Sequence, residues 1–181
     1  MLTIKIDDEL ELRTYKEGDA QEVFAVVNQD RAYLREWLPW VDSNTSVENT
    51  EAFIKHALTQ LEQDDGFQAG IWYKGTFVGG IGYHYIDRHD RKTEIGYWLA
   101  SSAQGKGIMT NACKTLVSYA FTEYKLNRVE IHCAPGNRRS RAIPERLGFT
   151  QEGVLREAAW LYDHFVDHVV YGMLAREWHI S

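Results

Sequence analysis

A period-two run from Thr93 to Leu99 passes through a glycine-containing loop into Ile108, Ala112, Leu116, Ala120 and Tyr124, which share one face of a long helix. Strand, tight loop and long helix in that order constrain the fold more than any other stretch, because the sheet they imply has to be covered by helix. The loop runs Ser101-Ser102-Ala103-Gln104-Gly105-Lys106-Gly107-Ile108-Met109-Thr110. Gly105 and Gly107 let the backbone turn tightly and approach a ligand, while the first free N–H groups of the helix point outward with the positive end of its dipole. A pyrophosphate suits that place. The loop is neither GxxxxGK[ST], since Lys106 precedes the last glycine, nor GxGxxG, since Thr110 stands where the third glycine would be. Taken alone, it equally suits a glycine turn that only starts a helix.

The flanking sequence is read by the same periodicities. Glu9 to Thr14 alternates as a first strand, and Gly18-Asp19 opens a helix with Ala20, Val23, Phe24 and Val27 on its apolar face. A short helix runs into Trp37-Leu38-Pro39-Trp40, and another spans Val47 to Gln63. Phe67 to Tyr73 and Phe77 to Tyr85 form a hairpin around Lys74-Gly75, in which Gly79, Gly80 and Gly82 imply a bulge or a closely packed crossing. Val129 to Ala134 reads as a strand, Arg138 to Leu147 as a helix, and Val154 to Leu161 with Phe165 to Met173 as a closing strand pair. The expected fold class is α+β: a mixed, mostly antiparallel sheet flanked by helices on both faces, in one domain spanning 1–181.

Composition narrows the function classes. A net charge of −6 disfavours direct nucleic acid binding and welcomes a cationic substrate. Charges every few residues in MLTIKIDDELELR leave no signal or membrane segment there, so the expected location is cytoplasmic. Cys113 and Cys133 lie in apolar surroundings without CxxC spacing and read as reduced core residues. The scattered histidines offer no metal site, and nothing fixes whether the chain forms a homo-oligomer.

Several segments carry a family resemblance. Gln104 to Met109 resembles the coenzyme A loop of GNAT acetyltransferases, usually [QR]xxGx[GA]; Gln104 and Gly107 match, and Met109 replaces the final small residue. Glu94-Ile95-Gly96-Tyr97-Trp98-Leu99, Asn137-Arg138-Arg139-Ser140, Leu147-Gly148-Phe149, Glu152-Gly153 and Leu155-Arg156 resemble the Rim-type branch, which acetylates ribosomal-protein N-termini. Similarity covers about residues 90 to 160, and Leu38-Pro39-Trp40 is similar to the same branch.

The resemblance implies an acetyl-CoA-dependent N-acetyltransferase whose acceptor is a primary amine, foremost a protein or peptide N-terminus. The alternatives are a small amine, such as a polyamine or antibiotic, and a CoA-binding protein without turnover. It implies that the cofactor is held by Gln104, Gly105, Lys106, Gly107, Ile108, Met109 and Thr110, by the backbone of Trp98 and Leu99, and by Asn137. It also implies Glu94 as general base and Ser140 as the hydroxyl beside the departing thiolate. Each residue has a structural alternative: a salt-bridged strand position for Glu94, a helix N-cap for Asn137, and an ordinary first-turn residue for Ser140. His132 is either a base or a hydrogen-bonded structural histidine, and Gln68 can orient water or substrate but not accept a proton. Arg138, Arg139 and Arg141 suit the 3′-phosphate or a solvated helix face, and Trp37 and Trp40 either anchor a helix junction or line a substrate groove.

Overall fold

The computed structural model describes residues 2–179. In chain order its elements are β1 (Thr3–Lys5), β2 (Leu10–Thr14), α1 (Ala20–Gln29), α2 (Arg31–Arg35), α3 (Val47–Glu62), β3 (Gln68–Tyr73), β4 (Thr76–Asp87), β5 (Lys92–Leu99), α4 (Ile108–Thr122), β6 (Arg128–Cys133), α5 (Arg138–Arg146), β7 (Thr150–Leu161) and β8 (His164–Leu174). Sequence periodicity omitted β1, a strand too short to show a period, which pairs with β2 at the sheet edge. It also carried the α4 stripe to Tyr124, whereas the helix ends at Thr122.

The strands form one eight-stranded sheet in the order β1-β2-β3-β4-β5-β6-β8-β7. Every pairing is antiparallel except β5 with β6, so the sheet is mixed and mostly antiparallel. Side chains alternate across it. Ile95, Val129, Ile131, Val169 and Tyr171 join Ala112, Cys113, Leu116 and Ala120 of α4 in the larger core on one face. On the other, Trp72 and Phe77 pack with Val23 of α1 and with Ile54 and Ala57 of α3. Helices thus cover both faces, as the α+β reading requires. Lys74 and Gly75, at φ 53° and 76°, make the turn between β3 and β4.

Two irregularities position the site. The β5–β6 ladder runs only from Lys92↔Arg128 to Glu94↔Glu130, so beyond Glu94 the two strands part. Between Tyr83 and Ile86 the β4–β5 register slips by one residue, setting His84 and Tyr85 opposite Glu94; such bulges re-aim side chains.

Candidate active site

The parted strands open a cleft of about 810 Å³ lined by Tyr97, Trp98 and Leu99, the 103–111 segment and α5. Ala100 N–H donates to Val78 O, and with the Gly80↔Trp98 register this turns the backbone groups of Trp98 toward β4 and those of Tyr97 and Leu99 toward the open side. The family resemblance assigns the backbones of both Trp98 and Leu99 to the cofactor; in this ladder the Leu99 groups face the open side and the Trp98 groups face β4. Trp98 still lines the cleft.

The cleft has the features of an anion cradle. Gly105 and Gly107 both have φ of 74°, and a Cβ at either would meet nothing within 4 Å, so the loop backbone faces open space. Asn111 N–H makes the first helical bond, to Gly107 O, leaving the N–H groups before it free at the positive end of α4. Met109 turns inward and is buried, although its residue also borders the cleft beside Ile108 and Thr110.

Gln104 bridges the mouth of the cleft: its amide donates to the Tyr33 hydroxyl, and its Oε1 accepts from Arg139 at 2.6 Å. Arg146 donates to Thr110 Oγ1 at 2.7 Å. Arg139 and Arg146, two helical turns apart on α5, therefore supply the cations at the cleft. Arg141 instead turns away to Tyr171, 2.8 Å from its hydroxyl. Lys106 also points elsewhere, donating to Ser102 O and lying 5.5 Å from the Tyr73 ring centre. The free helix N–H groups, two arginines and unfilled space over both glycines fit the phosphates of coenzyme A.

Ser140 lies in the same cleft, in the first turn of α5. Its N–H donates to Asn137 Oδ1 at 3.2 Å, so Asn137 caps the helix while also bordering the cleft. Pro144 has no N–H to offer the carbonyl of Ser140 four residues earlier. Tyr97 fills that vacancy, its hydroxyl donating to Ser140 O at 2.8 Å. Ser140 Oγ lies 3.2 Å from Cys133 Sγ and 3.4 Å from Tyr97 OH. Burial pushes up the pKa of Tyr97 and of Cys133, so both stay protonated near neutral pH. Cys113 is fully buried and is likewise a thiol.

Glu94 occupies the fork itself, as the last residue of β5 that pairs with β6. Its Oε1 is 3.3 Å from His84 Nδ1 and 3.8 Å from His132 Nδ1. His132 Nε2 lies 2.9 Å from Glu130, and Glu130 accepts from Arg128, which also grips Glu152. Burial alone would raise the Glu94 pKa, but the His84 hydrogen bond and the charges of His132 and His84 outweigh it and hold the carboxyl below its ordinary value. Beside His132, the pKa of His168 is lowered, first by burial and then by the His132 charge. Sequence reading had weighed His132 but missed His84 and His168. No motif marks them, because the bulge and the β6–β8 register bring them in. Gln68 lies on the same face, its amide donating to Tyr83 O at 3.0 Å.

The model of the acetyltransferase (GNAT) domain matches residues 9–150. The chain belongs to the GNAT acetyltransferase family. YdaF of Bacillus subtilis (strain 168), a candidate ribosomal N-acetyltransferase, is 38% identical over 179 residues, 98% of each chain. RimL, the ribosomal L7/L12 α-N-protein acetyltransferase solved with coenzyme A, superposes with a TM-score of 0.92 at 26% identity, over 96% of this chain and 98% of that one. The microcin C7 self-immunity acetyltransferase MccE, solved with acetyl-CoA and AMP, gives 0.91 at 29% identity, over 94% and 95%. This GNAT chain is an acetyl-CoA-dependent N-acetyltransferase, and among its described residues no helix is long and apolar enough to cross a membrane.

Proposed function

We propose that this GNAT enzyme acetylates the α-amine of a protein N-terminus, with a ribosomal protein as acceptor and the cytoplasm as its place of action. The observation that carries the reading is the position of Glu94, an ionised carboxylate at the fork where β5 leaves β6. Similarity to YdaF and to RimL, both named for ribosomal acetylation, supports the acceptor class.

Acetyl-CoA supplies an acyl group activated as a thioester. The loop glycines and the N-terminus of α4 bind its phosphates, with Arg139 and Arg146 adding charge and Asn137 offering its amide to the pantetheine arm. The Leu99 N–H, unpaired by β6, faces the cleft and stabilises charge developing on the carbonyl oxygen. On the acceptor side, Glu94 draws the ammonium to the fork and accepts its proton directly or through water. His84 and His132 flank the carboxylate and fix its position. Ser140 presents its hydroxyl to the departing sulfur. The amine attacks directly, because Cys113 and Cys133 are buried thiols rather than thiolates.

The test is acetyl-CoA turnover with peptides carrying free or blocked α-amines, alongside spermidine and an aminoglycoside. Free-amine peptides should react and blocked ones should not. Faster turnover of spermidine than of every peptide would overturn the acceptor assignment.

A further inference from the structure

The three glycines on the acceptor-side face of β4 and β5 have a use beyond close packing. Gly82 pairs directly with Gly96, and Gly80 with Trp98. Neighbouring side chains lie flat over them: a Cβ would come within 2.3 Å of Gln68 Oε1 at Gly82, 2.1 Å of His84 Nε2 at Gly96, and 2.7 Å of Trp98 Nε1 at Gly80. The result is a low floor. Above it, α1, α3 and the 40–44 turn leave a pocket of about 250 Å³.

The pocket's walls are aromatic, from Tyr15, Trp40, Phe53 and Trp98, with the side-chain amides of Asn44 and Asn49 at its edge. Phe53 is 42% exposed, although it sits on the apolar stripe of α3, and forms part of the lip. No Asp, Glu, Lys or Arg lines the pocket among the described residues. It shares Tyr97 and Trp98 with the cofactor cleft, and its wall includes His84, the partner of Glu94. An amine that reaches Glu94 therefore carries its nearest substituent across this floor.

We propose that the pocket is the subsite for the side chain of the acceptor's first residue, and that it selects an uncharged residue of Met, Leu or Phe size over Ser, Ala, Asp or Lys. This rests on the α-amine reading above. A volume of 250 Å³ corresponds to about eight waters at roughly 30 Å³ each. A serine or alanine side chain displaces only a small part of that water, whereas a methionine displaces several times as much. Each additional buried methylene favours the larger residue by about fourfold. A charged side chain loses hydration and meets no Asp, Glu, Lys or Arg on the walls, where the His84 imidazole is already engaged by Glu94.

The experiment measures kcat/KM for peptides identical beyond position one and beginning with Met, Leu, Phe, Ala, Ser, Asp or Lys. Met, Leu and Phe should exceed Ser and Ala by about 10- to 60-fold, the upper figure holding for full burial of three further carbons, and Asp and Lys by about 100-fold. Phe53→Ala should flatten the preference. Ser43→Trp, an exposed rim substitution that fills the pocket mouth, should shift it toward Ala and Ser. Coenzyme A affinity, measured by calorimetry, should stay unchanged in both variants and so reports that they are folded. If peptides react but Ser or Ala leads, or if the order is the same in both variants, the subsite is overturned while the α-amine reading stands. If no peptide reacts and spermidine does, both fall.

Discussion

The Tyr97 hydroxyl donates to the carbonyl oxygen of Ser140 at 2.8 Å, and that oxygen is the one Pro144 leaves without a helical donor. A strand residue is thereby latched to the first turn of α5 across the cofactor cleft, fixing where the Ser140 side chain points. The latch is testable because the vacancy has a known chemical cause.

Tyr97→Phe leaves a part-buried carbonyl unpaired and should cost about 1–3 kcal/mol in chemical denaturation. Pro144→Ala restores an N–H four residues after Ser140, so the Tyr97→Phe/Pro144→Ala double variant should recover part of that loss. A non-additive double-mutant cycle is the expected result. Strict additivity would show that the latch contributes nothing.

Ser140→Ala removes the hydroxyl that faces Cys133 and the cleft. It should lower kcat by about 10- to 1,000-fold, roughly 1.4–4 kcal/mol of transition-state stabilisation, with little change in coenzyme A affinity. Steady-state kinetics and calorimetry read the two effects separately. A near-wild-type kcat in a folded variant would return Ser140 to an ordinary helix position.

The sequence exposed what depends on local pattern and concealed what depends on register. The Gly105–Gly107 loop, the α4 stripe from Ile108 and the Asn137 cap were legible because each is set within a few residues. His84 was not, since only the slip against β5 turns it toward Glu94. Arg146 was legible in principle, because it lies two helical turns beyond Arg139 and hence on the same face. The neighbouring Arg141 belongs instead to Tyr171, a contact that needs the β8 register to appear.

That division of the cations yields a binding prediction. Arg139→Ala and Arg146→Ala should each weaken coenzyme A binding by about 5- to 50-fold, and more at low ionic strength, as lost charge-assisted contacts to phosphate. Lys106→Ala should change affinity by less than about threefold, because its ammonium points to Ser102 and Tyr73. A large Lys106 effect in calorimetry would mean that the side chain swings back to the phosphates on binding.

The last prediction concerns Glu94 and pH. Its pKa is held below the ordinary carboxylate value, against the effect of burial, by His84 and His132, so the carboxylate is ionised throughout the neutral range. The rise of rate with pH in the wild type should therefore follow the acceptor α-amine, whose pKa is about 7.7–8.0, and not Glu94. Glu94→Gln should reduce the rate most below that pKa, where most amine is protonated, with partial recovery as pH rises toward it; Ser140→Ala should show no such recovery. Stability is linked with a definite sign. Because folding lowers this pKa, Glu94 contributes stability that is present above the unfolded carboxylate value and is lost as pH falls through the folded one. Wild type and Glu94→Gln should therefore converge in stability at acid pH. A pH-independent gap in rate would remove Glu94 from the proton path, and a pH-independent gap in stability would mean that folding does not lower its pKa.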